Sequence, residues 1–239
     1  MYEVAVLGAG IVGVSTAINV QKKFPAAKVR LISDRFDQDT TSWGAGGVFV
    51  PEAVLIHGLS TERLRKWVKN SWEYYSSLAS SENASVTGMQ FVSGYCLYKN
   101  EPEIPVYAEF VNAFRKMTKN EINRLKFQEY HEDLLALGGI RQDNNYNMNN
   151  SKEDTEDILR RCQKLCPAVK GAKLDHVWTG LRPTRTPPRV ESEILKLPEG
   201  NLKVVHNYGH GANGIVLSWG SSLEAADLVE SCLKSTSKL

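Results

Sequence analysis

Residues 2–34 read YEVAVLGAGIVGVSTAINVQKKFPAAKVRLISD. The opening run YEVAVL has the length and apolar character of a strand, and it ends at Gly8-Ala9-Gly10-Ile11-Val12-Gly13. The next residues, VSTAINVQKKF, read as a helix, and after Pro25 a second strand-like run, KVRLIS, ends at Asp34. Strand, glycine turn, helix and strand in that order predict a βαβ unit that holds a dinucleotide. Each glycine has its own task. Gly8 permits the tight turn, Gly10 lets main-chain N–H groups approach a pyrophosphate, and Gly13 lets the helix pack close to the strand. The helix N-terminus then presents its partial positive charge to the phosphates. Asp34 stands about 20 residues beyond the glycines, where an acid meets a ribose hydroxyl.

The remaining composition narrows the classes. The chain has 239 residues, 42% of them hydrophobic and 23% charged, enough for one large or two small domains with a proper core. Its 29 basic and 27 acidic residues leave a net charge of +2, too little for a broad field that would hold nucleic acid or an anionic membrane. Apolar runs are interrupted well before the ~20 residues a spanning helix requires, so a soluble protein is expected. Cys96, Cys162, Cys166 and Cys232 are too few for a disulfide scaffold and lack C-x-x-C spacing, which fits a reducing compartment. The apolar N-terminus carries Glu3 where a signal peptide has basic residues, and reads as folded structure.

The C-terminal quarter adds a second glycine-rich loop, Tyr208-Gly209-His210-Gly211-Ala212-Asn213-Gly214, followed by Ile215-Val216-Leu217 and a helix-like SSLEAADLVESCL. A loop that opens a helix again aims N–H groups at an electron-rich ligand. His206 and His210 are four apart, yet the glycine and tyrosine between them argue against a helix and no Cys or acid is near in sequence; no metal is expected. Arg182, in GLRPTR, is presented by a backbone stiffened by prolines, and its planar fork can clamp a carboxylate. From the residues alone Arg185 and Arg189 are equal candidates. Between these ends, Leu64, Trp67, Val68, Trp72 and Tyr75 recur at helical spacing after Ser60, a plausible N-cap, and predict a core-facing helix. The Asn-rich DNNYNMNN, residues 143–150, reads as a polar loop before a charged helix. The final Ser237-Lys238-Leu239 is the receptor-read peroxisomal address, so the peroxisomal matrix is the expected location and its import receptor an expected partner.

Several longer stretches carry a family likeness: DRFDQDTTSWGAGGVFVPE (34–52), FVSG (91–94), FRKMT (114–118), LGGIRQ (137–142), TGLRPTRTPPRVE (179–191) and VVHNYGHGANGIVLSWGSSLEAADLV (204–229). Together they closely resemble the D-amino-acid oxidase and D-aspartate oxidase family. The resemblance implies an α/β protein: a Rossmann-like FAD-binding domain over residues 1–50 plus 175–239, and a truncated α+β substrate domain with a mixed sheet over 51–174. It implies FAD as cofactor, and a D-amino acid and oxygen as reactants. The cofactor would touch Gly8 to Gly13, then Asp34 and Arg35. It would also touch Thr40, Thr41 and Ser42, then Gly46, Gly47 and Val48, where hydroxyls and small residues suit a phosphate and a flat ring. In the second loop the same resemblance selects Gly211, Ala212, Asn213, Gly214, Ile215 and Val216. It makes Arg182 the clamp of the substrate α-carboxylate, with Ala212 beside it. Arg141 resembles the arginine of those members that act on acidic D-amino acids, where a second cation meets a second carboxylate. No side chain is expected to act as the catalytic base if the bound amine is neutral.

The resemblance also exposes a gap. After FRKMTKNEINRLKFQEYHEDL the chain passes almost directly to LALGGIRQ, where the family has about a hundred further residues. In the family that block carries a mid-chain strand and turn that contact FAD, strands of the substrate sheet and a lid. The expected reading is therefore an acidic D-amino-acid oxidase with an internal deletion. The alternatives are an inactive remnant or splice form, and an oxidase of neutral D-amino acids. An NAD-dependent dehydrogenase is disfavoured by the flavin-type loop after the second strand.

Overall fold

The structure is a computed structural model that describes residues 2–51, 56, 58–96, 98, 100, 102–124 and 136–234. Two compact units divide the chain: one formed by Met1–Ala113 with Arg182–Leu239, the other by Phe114–Leu181.

In the first unit, β1 (Glu3–Leu7), α1 (Ile11–Lys23) and β2 (Lys28–Ile32) form the expected βαβ motif, the strands parallel and in register from Glu3↔Lys28 to Leu7↔Ile32. Residues alternate between faces with the strand period of two. Val4, Val6, Val29 and Leu31 are half-buried, while Ala5, Leu7, Arg30 and Ile32 are exposed. The exposed face changes character along the strands. Glu3 stands 3.9 Å from Lys28 and 3.7 Å from Arg30 at one end, and Leu7 and Ile32 lie bare at the other.

Helix α2 (Thr61–Ala79) begins as expected at Ser60, whose hydroxyl accepts from the Arg63 N–H and satisfies one orphan donor of the first turn. It buries Leu64, Trp67 and Val68 fully and leaves Trp72 and Tyr75 half-buried. A short helix α3 (Ala84–Thr87) follows, closed by Gly88 in the left-handed region. Strands β3 (Thr184–Leu197) and β4 (Gly200–His210) then form an antiparallel hairpin, and α6 (Gly214–Lys234) packs on it and against α1 and α2. Helix α6 starts before Ile215-Val216-Leu217 rather than after them. Trp67 and Val68 of α2, Val190 of β3, and Val216, Leu217 and Ala225 of α6 make up most of the core. Gly220 lets α2 and α6 meet backbone to backbone, because a Cβ there would lie 2.2 Å from the Trp67 carbonyl oxygen.

The second unit contains α4 (Lys119–Arg124) and α5 (Lys152–Leu165), the latter capped by Ser151, whose hydroxyl accepts from the Asp154 N–H. Two expectations are corrected here. Among the described residues the mixed sheet assigned to a second domain is absent: the described part of 114–181 holds no strand, and the two sheets that the described residues form are two-stranded, one parallel and one antiparallel. The segment 51–113, expected with the second domain, instead falls in the first unit, because the apolar face of α2 is buried against α6. No described helix is long and apolar enough to cross a membrane.

Candidate functional site

The first glycine turn is built by contact, not by flexibility alone. Gly8 has φ +101 and donates its N–H to the Ile32 carbonyl at 2.8 Å, which fixes the turn across the ends of both strands. A Cβ on Gly13 would lie 1.9 Å from the Gly8 carbonyl oxygen, so only glycine lets α1 start this close to β1. The loop after β2 returns to this point: the Ser42 hydroxyl accepts from the Ile11 N–H at 2.9 Å and stands 3.3 Å from where a Gly10 Cβ would be. Ser42 therefore satisfies one of the N–H groups at the start of α1. Thr40 is tied locally to the Asp37 carbonyl at 2.8 Å, and Gly47 takes φ +67. Asp34, just past β2, is exposed with Arg35 at 3.8 Å, and Val48 is exposed as well.

The second glycine loop lies at the same end of a helix pair. Thr16 of α1 bonds Ser222 of α6 at 3.1 Å and accepts from the Asn207 amide at 2.9 Å, while Lys23 reaches Asp227 at 2.5 Å and Glu230 at 2.8 Å. Both chains advance in the same sense through these contacts, so α1 and α6 run parallel and both N-termini point the same way. Ser222 lies eight residues beyond Gly214 and Thr16 five beyond Ile11, so α6 starts about 12 Å and α1 about 8 Å before the contact they share. Gly10 and Gly211 thus belong to turns that open at one end of the pair.

Arg182 is linked to that second turn through its neighbours. The Gly211 N–H donates to the Pro183 carbonyl at 3.1 Å, Thr184 pairs with His210, and the Thr184 hydroxyl is 3.2 Å from where a Gly211 Cβ would stand. Gly211 itself has φ +57. Ala212 is exposed, whereas Asn213 and Val216 are buried, Val216 within the core, so Val216 can offer only its main chain to a ligand. Ile215 uses its carbonyl to accept from Tyr75 at 3.0 Å. Arg141 belongs to the second unit, where its Nε donates to Asp143 at 3.0 Å and both side chains are exposed. Ser237-Lys238-Leu239 lie outside the described residues.

The histidines have separate surroundings. His206 Nε2 is 3.0 Å from Glu193, whose carboxyl is held below its usual range first by that histidine and then by Arg189. His210 is buried against Trp67, and its Nε2 meets the Ser221 hydroxyl at 3.0 Å. Ser221 gives its own hydrogen to the Ser218 carbonyl, so Nε2–H of His210 is the donor and Nδ1 carries a lone pair with no hydrogen-bond partner. Burial lowers the His210 pKa to about 4, which keeps the ring neutral. Sequence reading gave Thr184 no role, Pro183 only that of stiffening the backbone at Arg182, and Tyr75 only a place on the core-facing stripe of α2. The only signal for them was adjacency to Arg182 and helical spacing on α2.

A βαβ unit with a close-packed glycine turn, a hydroxyl-bearing loop folded back on it and a second helix start at the same end defines a nucleotide-binding type of α/β protein. The family model described as FAD dependent oxidoreductase (DAO) matches residues 3–127 and 123–228, and the chain belongs to that family. Human D-aspartate oxidase is 28% identical over 328 aligned positions, spanning 96% of this chain and 95% of the relative. D-aspartate oxidase 1 of Caenorhabditis elegans is 25% identical over 98% of each chain. A D-amino-acid oxidase of Dictyostelium discoideum is 43% identical over 97 residues, 40% of this chain and 28% of that one. The human alignment is longer than the 239 residues of this chain, so that relative has positions without a counterpart here. The family match breaks in two at residues 123–127, at the edge of the gap read from the sequence.

The residues present fit FAD. The space a Cβ would fill is kept open at Gly13, the first turn of α1 offers main-chain N–H groups, and Asp34 is exposed at the strand ends.

Proposed function

We propose that this chain binds FAD in a Rossmann-like cleft between the two glycine turns and acts as an oxidase of D-amino acids, with acidic ones preferred. The observation that supports the reading is the shared direction of α1 and α6, whose opening turns, Gly8 to Gly13 and Gly211 to Gly214, stand at one end of the pair. The N–H groups of the first turn would hold the pyrophosphate, Asp34 a ribose hydroxyl, and Thr40, Thr41 and Ser42 the adjoining phosphate and ring edge. The chemistry FAD supplies when bound is acceptance of hydride from the substrate Cα and its transfer to dioxygen as peroxide, leaving an imino acid that water hydrolyses. Arg182 orients the substrate by its α-carboxylate, and the Pro183–Gly211 bond holds that arginine's backbone beside the second turn. Arg141 would take a side-chain carboxylate once it leaves Asp143.

A second reading, a form with little or no turnover, is favoured by the bare ends of β1 and β2. Leu7 is 78% and Ile32 50% exposed beside the glycine turn, so water reaches the strand ends where the cofactor would sit. Purified protein reconstituted with FAD separates the two readings. Flavin absorbance together with peroxide release on D-aspartate supports the oxidase, and absorbance without peroxide supports the second reading. Robust turnover of D-alanine with none on D-aspartate would overturn the acidic preference. Arg141→Leu should depress D-aspartate oxidation far more than D-alanine oxidation, and Arg182→Ala should damage both. Peroxisomal import through Ser237-Lys238-Leu239 belongs to the same proposal. A fluorescent fusion lacking the three residues should turn diffuse, and one that still marks peroxisomes would place the address elsewhere.

A further inference from the structure

Trp43 follows directly on Ser42, whose hydroxyl accepts from the Ile11 N–H at the start of α1. The main chain around it is fixed: the Trp43 N–H donates to the Thr40 carbonyl at 3.1 Å, and the Ala45 N–H to the Ser42 carbonyl at 3.4 Å. Its indole, in contrast, is 62% exposed, and among the described residues no ring or cation packs on it. One exposed apolar side chain means little by itself. This one stands in the loop that Ser42 ties to the first glycine turn, and Gly46 comes three residues later. Gly46 has neither a left-handed backbone nor, within 4 Å of where its Cβ would be, any neighbouring atom. Gly13 is glycine because the chain's own packing requires it. At Gly46 nothing among the described residues does, and the open space there suits a flat ring laid on the main chain.

We propose that Trp43 is a further cofactor-binding residue, its indole stacking on the isoalloxazine ring of FAD. The inference rests on the FAD-binding reading and adds to it a side chain outside the residues that the family resemblance selects, which pass from Ser42 to Gly46. Indole offers a wide, electron-rich face on a side chain with few rotatable bonds. Isoalloxazine is flat and electron-poor, so an offset stack takes apolar area of both rings out of water and matches their charge distributions. A ring presented by a fixed main chain also loses little freedom on binding. The order of groups along the loop decides which end of the cofactor Trp43 meets. In the proposed arrangement Asp34, just past β2, takes the ribose, and Thr40, Thr41 and Ser42 follow at the phosphates. The next residue therefore falls beyond the phosphates, on the side away from the ribose and adenine.

The full-length chain, titrated with FAD and separately with ADP, provides the test. Trp43→Leu should weaken FAD binding about tenfold by calorimetry, the effect of losing one aromatic stack, and leave ADP binding unchanged. The flavin that still binds should emit several-fold more strongly than in the parent chain, because an indole in contact quenches flavin emission. Trp43→Phe should keep FAD affinity within about threefold, since a phenyl ring also stacks, yet show the brighter flavin. Trp43 is exposed, so the circular dichroism spectra of parent and variants should agree. Equal FAD affinity and equal emission in the parent and Trp43→Leu would overturn the proposal while leaving FAD binding itself intact. A parallel loss of ADP affinity would move the indole to the adenine and overturn it as well, and a parent chain that binds no FAD would overturn both readings together.

Discussion

Two regions of the first unit differ in how far the chain completes its own packing. Where α2 crosses α6, Trp67, Val68, Leu217 and Ser218 are essentially sealed from solvent, as are Ser221 and Ser222 on the sides of α6 that meet β4 and α1, and each hydroxyl is bonded. Arg63 grips Glu224 with two bonds of 3.2 and 2.6 Å, and Trp67 donates its indole N–H to the same carboxylate at 2.6 Å. At β1 and β2 a parallel pair stands without a third described strand, and its outer face leaves Leu7 and Ile32 open. Parallel sheets are normally covered on both faces, and two strands alone are marginal. The helix crossing is closed by residues that are all present. The sheet belongs to a fold whose relatives carry more chain.

The comparison can be broken most severely at Gly220. Gly220→Val would drive a Cβ into the Trp67 backbone, so a loss of about 3 kcal/mol or more, or no folded protein, is expected in urea denaturation. A variant of near-normal stability would show that the two helices are not in contact.

Acid tests the same crossing through His210. With a folded pKa of about 4 against about 6.5 unfolded, the unfolded chain binds the proton first. Stability is therefore full above pH ~6.5 and falls by about 3 kcal/mol as pH drops toward 4, then levels for this group. Denaturation midpoints followed from pH 7 to 4 should slope accordingly, and His210→Gln should flatten that part of the slope.

Glu224→Ala leaves Arg63 and the Trp67 indole without their acceptor in a half-buried place, and should cost about 2–3 kcal/mol by chemical denaturation. At the other extreme, Leu7→Ser should change stability by less than ~0.5 kcal/mol, because Leu7 is already in water. A loss near 2 kcal/mol would mean that something covers the sheet and would erase the contrast between the two regions.

The legibility of the sequence follows the range of the forces involved. The βαβ motif and the start of α2 were readable because glycine spacing, strand period and a serine cap act within a few residues. The β3–β4 hairpin was less so. Pro187 and Pro188 suggest a stiff loop around Arg182, yet they lie inside β3 at its register shift, tolerated where ladder bonds are already interrupted. Helix α6 was placed too late because Ile215-Val216-Leu217 reads equally well as strand, and only burial against α2 decides for helix. The second domain's sheet was expected from family likeness and not from alternation in these residues.

Arg141 illustrates how a neighbour alters what a charge is worth. Its guanidinium already holds a carboxylate, that of Asp143, two residues away on an exposed loop. A dicarboxylic ligand that reaches Arg141 must therefore swap one anion for another, and the free energy of selection is a difference between two similar pairs, each modest in water. Discrimination by this arginine would behave as an ion exchanger does: set by relative and not absolute attraction, weakened by added salt, and sharpened by whatever draws Asp143 away.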